Sequence, residues 1–245
     1  VLKLAQVRFA NRPTGQSANW PIGQLANRSA LGSHQNNPVQ EQQLMKIQTI
    51  ADLRQLYAAP QGRAVQKEIQ HLDVHCRSFI ALSPFLMLAT TDDQHQLDAS
   101  PRGGEPGFAK VIDAQTLLIP DAPGNNRLDS LENIINTGKV GVLFLIPGFD
   151  ETLRINGSAS LSQSPADIAI CSTEQRAPKL VIRVSVQAAY LHCAKALMRS
   201  KLWDPAALVA RSTLPTIGKM IADQTGLQIA PETQEEMVKR YAPDL

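Results

Sequence analysis

The sequence predicts a mainly β fold with α-helices at its margins, arranged as one antiparallel barrel or sandwich. Short, apolar, β-prone runs follow one another closely between Phe85 and Ala188, and a single amphipathic helix, over roughly 127–136, interrupts them. Repeated βαβ units would need a helix after nearly every strand. The sequence also holds no GxGxxG and no GxxxxGK-S/T, so neither a Rossmann nor a P-loop phosphate cradle is expected.

Taken in order, residues 1–44 are rich in Asn, Gln, Ser and Gly, lack hydrophobic periodicity and contain Pro13, Pro21 and Pro38. They are expected to be a disordered or non-native extension, with Met45 as the natural start. Thr49-Ile-Ala-Asp52 has the form of a capping box and opens a short helix that ends before Pro60; Arg63 to about Leu82 carries a second helical pattern. Phe85–Thr91 is a strand closed by the turn Asp92–His95, and Phe108–Ile112 with Thr116–Ile119 form a hairpin through Asp113-Ala-Gln115. After the helix, Val140–Ile146 reads as a buried strand. Thr152–Leu161 alternates Leu153, Ile155 and Gly157 against Arg154, Asn156 and Ser158, as a half-buried strand does. A sixth strand runs from Leu180 to Ala188 with Ile182, Val184 and Val186 on one face, and helical patterns follow. The β domain with its N-terminal helices is expected over 45–213. Residues 214–245, with alternating charge from Glu232 to Arg240, are expected to be a peripheral helical cap.

Composition narrows the function classes. The formal net charge of +2 is uneven: Lys3, Arg8, Arg12 and Arg28 against Glu41 give +3 for residues 1–44, leaving −1 for the rest. A near-neutral domain lacks the electrostatic footprint of a general nucleic-acid binder. No stretch approaches the roughly 20 apolar residues of a membrane span, and no compact signal sequence opens the chain, so a cytoplasmic protein is expected. Cys76, Cys171 and Cys193 are odd in number and widely spaced, which argues against a disulfide framework or structural zinc. His71 and His75 share a helix face, yet no HExxH glutamate or further ligand accompanies them, and no metal site is expected. His192 and Cys193 are adjacent with no orienting partner, and packing at the start of the C-terminal helix explains them better than nucleophilic catalysis.

Two Gly/Pro-flanked segments each present one arginine among small polar residues: Ser100–Phe108, with Arg102, and Pro120–Ser130, with Arg127. In the second, Asn126 reads as a helix cap and Asp129 as an acidic N3 residue. Arg127 would then lie in the first turn, against the positive end of the helix dipole. An anion, most simply a phosphate between the free backbone N–H groups and Arg127, would account for that charge.

The order of these pieces resembles the pyridoxamine 5′-phosphate oxidase-like FMN-binding split-barrel family, and within it a bacterial FMN-dependent branch. The resemblance spans about residues 70–205 and is carried by Phe79–Thr90, Asp98–Gly104, Ile119–Asn133, Val142–Gly148, Glu151–Gly157 and His192–Trp203. It implies an antiparallel split β-barrel with peripheral helices, FMN as cofactor, and a homodimer with FMN at its interface. It further implies that Ser100 and Arg102 on a strand, with Asn125, Asn126 and Arg127 in the turn before the helix, grip the FMN phosphate, and that Arg199 and Trp203 approach the flavin. The C-terminal Arg-x-His substrate signature of the named oxidase is missing, so pyridoxamine phosphate is not implied as substrate. The implied activity is an FMN-dependent oxidoreductase in which a small organic substrate or nicotinamide donor reduces the flavin. A flavin storage or sensor protein, or the same barrel holding haem or a deazaflavin, is the alternative.

Overall fold

Local caps set the helix starts. The computed structural model describes residues 46–226 and 232–244, so the proposed start at Met45 and the expected extension over 1–44 lie outside it. The described chain divides into two units between Ala59 and Pro60. In the first, helix α1 (Ile50–Leu56) opens on the expected capping box: the Asp52 N–H donates to Thr49 Oγ1 at 3.1 Å and the Thr49 N–H to the Asp52 carboxylate at 3.0 Å.

The second unit begins with α2 (Arg63–Gln66) and α3 (Val74–Leu82), two short helices where one was expected over 63–82. The break has a cause on each side. Ile69 leaves the helical path to exchange backbone hydrogen bonds with Ala189, at 3.0 and 2.7 Å, and Asp73 restarts the helix by accepting from the Cys76 N–H at 2.8 Å.

Strands β1 (Phe85–Thr91), β2 (Leu97–Gly103), β3 (Lys110–Val111), β4 (Thr116–Pro120), β5 (Lys139–Leu145), β6 (Thr152–Ser162) and β7 (Val181–His192) form one sheet in the order β2-β1-β5-β6-β7-β4-β3, with every pair antiparallel. Helix α4 (Asp129–Thr137) joins β4 to β5, and α5 (Pro165–Cys171) joins β6 to β7. The expected architecture, antiparallel strands with helices at the margins, is what forms. Three details differ from the sequence reading. Strand β2 is implied by the family resemblance alone, because Asp98-Ala-Ser-Pro-Arg carries no apolar alternation; it is an edge strand, where Pro101 removes no shared ladder bond. Helix α5 was not expected. Strand β7 continues to His192 instead of stopping at Ala188, because its second half pairs with Thr152–Asn156 of β6.

The core lies on one face of this sheet. Leu86, Leu88, Phe144, Leu153, Ile155, Ile182 and Val184 are buried there with Cys76, Phe79 and Ile80 of α3 and Leu131 and Ile134 of α4. Burying each large aliphatic side chain contributes about 1.5–3 kcal/mol, so this set outweighs the few surface ion pairs. Gly157 stands at the irregularity in the β6–β7 ladder, and a Cβ there would collide with the Ser185 carbonyl oxygen. Only glycine lets the two backbones approach so closely. Helices α6 (Lys195–Ser200), α7 (Ile217–Thr225) and α8 (Gln234–Tyr241) complete the described chain, and none of the three buries a side chain. Among the described residues, no helix is long and apolar enough to cross a membrane.

Candidate functional site

Strand pairing decides which way the β2 residues face. Arg102 stands opposite Leu86, Ser100 opposite Leu88 and Asp98 opposite Thr90, all three partners being buried, so these polar side chains lie on the core face at the sheet edge. There they meet the start of α4. One Nη of Arg102 donates to Ser100 Oγ and, at 2.9 Å, to the Pro101 carbonyl; the other donates to Ser130 Oγ at 3.2 Å. Ser130, itself buried, donates to the Asp98 carboxylate at 2.5 Å. A guanidinium carries five N–H donors, and these bonds use three. Among the described residues, nothing accepts from the other two.

The turn before α4 differs from its expected form. The helix begins at Asp129 with Leu128 as its cap, in the left-handed region at φ 50°, and no side chain caps it. Asn126 is therefore not the cap: at φ 59° it takes a left-handed position that asparagine tolerates better than most residues. Asn125 Oδ1 accepts from the Arg127 N–H at 3.1 Å, a side-chain turn that biases the segment away from helix. Asp129 is the first helical residue, not the third, and Arg127 precedes the helix. The Arg127 side chain is three-quarters exposed and donates to the Asp129 carboxylate at 2.8 Å. That hydrogen bond, then the charges of Asp129 and of Asp98, hold its guanidinium above its ordinary pKa.

Arg102, Ser130 and Asp98 thus form one hydrogen-bonded chain between β2 and α4, Arg127 pairs with Asp129 at the α4 start, and the charge of Asp98 acts on Arg127 as well. The cluster is rich in donors but balanced in charge, two arginines against two aspartates. Arg199 and Trp203 lie elsewhere. Arg199 is exposed on α6, and Trp203 donates its indole N–H to the Phe149 carbonyl at 2.7 Å, fastening the segment after α6 to the turn that follows β5.

A cavity of about 460 Å³ opens on the opposite face of the same strands, lined by Met87, Ala89, Gly141, Leu143, Arg154 and Asn156 of the sheet and closed by the His192–Leu197 segment. None of the seven residues expected to bind cofactor lines it. The sequence reading left Arg154 and Asn156 on the non-core side of their strand, which is correct, but gave that side no function. The missed signal was on the neighbours: Met87 and Leu143 alternate out of the core and make the far face apolar as well. His192 ends β7 instead of starting a helix, and its Nδ1 is closed off from solvent without a hydrogen-bond partner. Burial, then the charges of Lys67 and Arg154, push its imidazole pKa down. Burial raises the Cys76 and Cys171 thiols to about 11, while Cys193 is exposed beside the cavity.

Residues 72–193 match the family model described as pyridoxamine 5′-phosphate oxidase, and the chain belongs to that family through this segment. No curated protein matches. Among solved structures the chain is similar to HupZ of Group A Streptococcus, with 18% identity over 49% of this chain and 92% of that one and a TM-score of 0.41. It is also similar to an FMN-binding protein from Syntrophomonas wolfei, with 16% identity over 48% and 83% and a TM-score of 0.39. A third is the haem storage protein HutZ from Vibrio cholerae, with 11% identity over 49% and 94% and a TM-score of 0.34. The fold is the antiparallel split barrel with peripheral helices.

Proposed function

We propose that this protein binds FMN and acts as an FMN-dependent oxidoreductase, working as a homodimer with the flavin at the subunit interface. The observation that supports it most is Arg102. Its guanidinium is fixed by two serines and a carbonyl at the start of α4, with two donors left over beside an exposed second arginine. A phosphate oxygen pair suits that fork. Arg127 can join by releasing Asp129, because an exposed ion pair of this kind contributes only about 0–1 kcal/mol. Asp98 and Asp129 oppose a dianion, so the donors, not surplus charge, would hold the phosphate.

In this reading the isoalloxazine supplies hydride chemistry when bound. The chain's own residues orient it: Ser100 and Ser130 hold Arg102 in place, and Asn125 fixes the turn that carries Arg127. Absorption of the freshly purified protein tests the reading. Two flavin bands, with the released chromophore identified as FMN, are expected; a Soret band or a deazaflavin would replace FMN with one of the other cofactors. Multiple turnovers of flavin reduction by an added donor separate an enzyme from a storage or sensor protein. In titrations of the apoprotein, Arg127→Ala is expected to weaken FMN binding severalfold, and unchanged affinity would remove Arg127 from the site.

A further inference from the structure

The cavity on the far face of the sheet has a shape and a charge that the phosphate cluster does not explain. Its floor is hollowed by small residues in register, with Ala89 beside Gly141 and Gly141 beside Asn156. A Cβ at position 141 would press within 3.3 Å of the Asn156 side-chain oxygen. Around this hollow the walls are mainly apolar: Met87, Leu143, Ala196 and Leu197.

One end is different. The Arg154 guanidinium lies 5.2 Å from the centre of the Tyr190 ring and the Lys67 ammonium 5.1 Å from the same centre, so two cations share one aromatic face system. Lys67 also donates to the Leu191 carbonyl at 3.1 Å. The four salt bridges among the described residues involve neither of them. His192, whose ring lies 6.4 Å from that of Tyr190, adds a buried nitrogen without a partner. Two like charges gathered on one ring beside an apolar hollow are costly in isolation, and an anion against Arg154 relieves that repulsion.

We propose that this cavity is a binding site for a small apolar organic anion, with its carboxylate or sulfonate against Arg154 and its hydrocarbon body on Met87, Leu143 and Leu197. Asn156 lines the same wall, and its side-chain amide can donate to the bound head group. Lys67, on the same Tyr190 ring as Arg154, raises the local potential. This site is separate from the flavin phosphate cluster, which sits on the core face, and does not depend on the flavin reading.

The test uses the full chain, freed of any chromophore, and two fluorescent probes that share a skeleton: 8-anilinonaphthalene-1-sulfonate and the uncharged N-phenyl-1-naphthylamine. The sulfonate is expected to bind at least about tenfold more tightly than the neutral probe. Arg154→Met is expected to weaken the sulfonate about tenfold and to change the neutral probe less than about twofold; Lys67→Met is expected to weaken the sulfonate about threefold. Should Arg154→Met fail to fold, the Lys67→Met result decides. Equal affinity for the two probes, or a sulfonate affinity unmoved in the folded variants, overturns the proposal. So does displacement of the sulfonate by FMN, which would make the cavity part of the flavin site. Loss of flavin binding in the Arg127 variant with sulfonate binding intact would leave this site standing.

Discussion

On the core face of β1 and β2, Arg102 donates to two serine hydroxyls, and in the turn before α4 Arg127 pairs with Asp129, while on the far face of the sheet Arg154 and Lys67 share a tyrosine ring with no carboxylate bridged to either. Arg102 and Arg154 lie on opposite faces of the same sheet, on β2 and β6. Both would look alike in a sequence, as a basic residue in a polar stretch. What separates them is the company each keeps: two serines and a carbonyl hold Arg102 and Asp129 pairs with Arg127, whereas the Tyr190 ring is the shared neighbour of Arg154 and Lys67. An arginine flagged by glycine and proline is thus a donor in a shaped frame, whereas an arginine stranded on an apolar face is an unmet charge. The first suits precise grip of a phosphate already neutralised in part; the second suits capture of an anion that brings its own apolar body.

The largest effect expected concerns the strand that both faces depend on. Gly157→Ala forces a Cβ into the Ser185 carbonyl, and separation of β6 from β7 should cost about 2–4 kcal/mol in denaturant unfolding. Retained stability would mean that the bulge shifts freely and that the positions of Arg154 and His192 are not fixed. Next, Arg102→Ala should weaken FMN about tenfold to hundredfold in titration of the apoprotein, whereas Asp129→Asn should tighten it severalfold by freeing Arg127 and removing a repelling carboxylate. Parallel losses in both variants would show that the cluster is a folding unit and not a phosphate grip.

The smallest effect concerns His192. Its pKa is depressed by burial and by Lys67 and Arg154, so the folded chain holds the imidazole neutral where the unfolded chain, with an ordinary value of about 6.5, binds a proton. Stability from this group is therefore complete above about pH 6.5 and falls as the pH drops through the window down to the folded value. Imidazole proton shifts should show titration below the ordinary value, and Lys67→Met should move it upward. A value at or above 6.5 would place the nitrogen in water and blunt the contrast between the two faces.

Much of this arrangement was legible in the residues. Strands β1 and β5, short apolar runs, and β6, with clean alternation, were placed to within a residue or so, because burial writes β-prone apolar runs or period two into the chain. Arg102 and Arg127 were singled out from their glycine- and proline-flanked frames, and the structure places Arg102 on Ser100 and Ser130 and Arg127 on Asp129. The cap at Asn126 was not correct, since asparagine serves a left-handed turn as readily as a helix start and local composition does not choose between them. Strand β2 was implied by the family resemblance and not by its own periodicity: an edge strand with Pro101 and only Leu97 and Ala99 as apolar residues forms because β1 offers it a partner. Helix α5 is similarly a short connector, whose Asp167 accepts from the nearby Ser162 hydroxyl and from Arg183 on β7.

By itself the sequence determined the fold class, the apolar core positions and the two arginine-bearing frames, because periodicity and turn chemistry are local properties of the chain. Only the tertiary structure decided which face each arginine occupies, which carboxylates answer it, and that Ala89, Gly141, Arg154 and His192, far apart in sequence, enclose one cavity. Those outcomes depend on strand register and on pairing between distant segments, and no short stretch of residues carries that information.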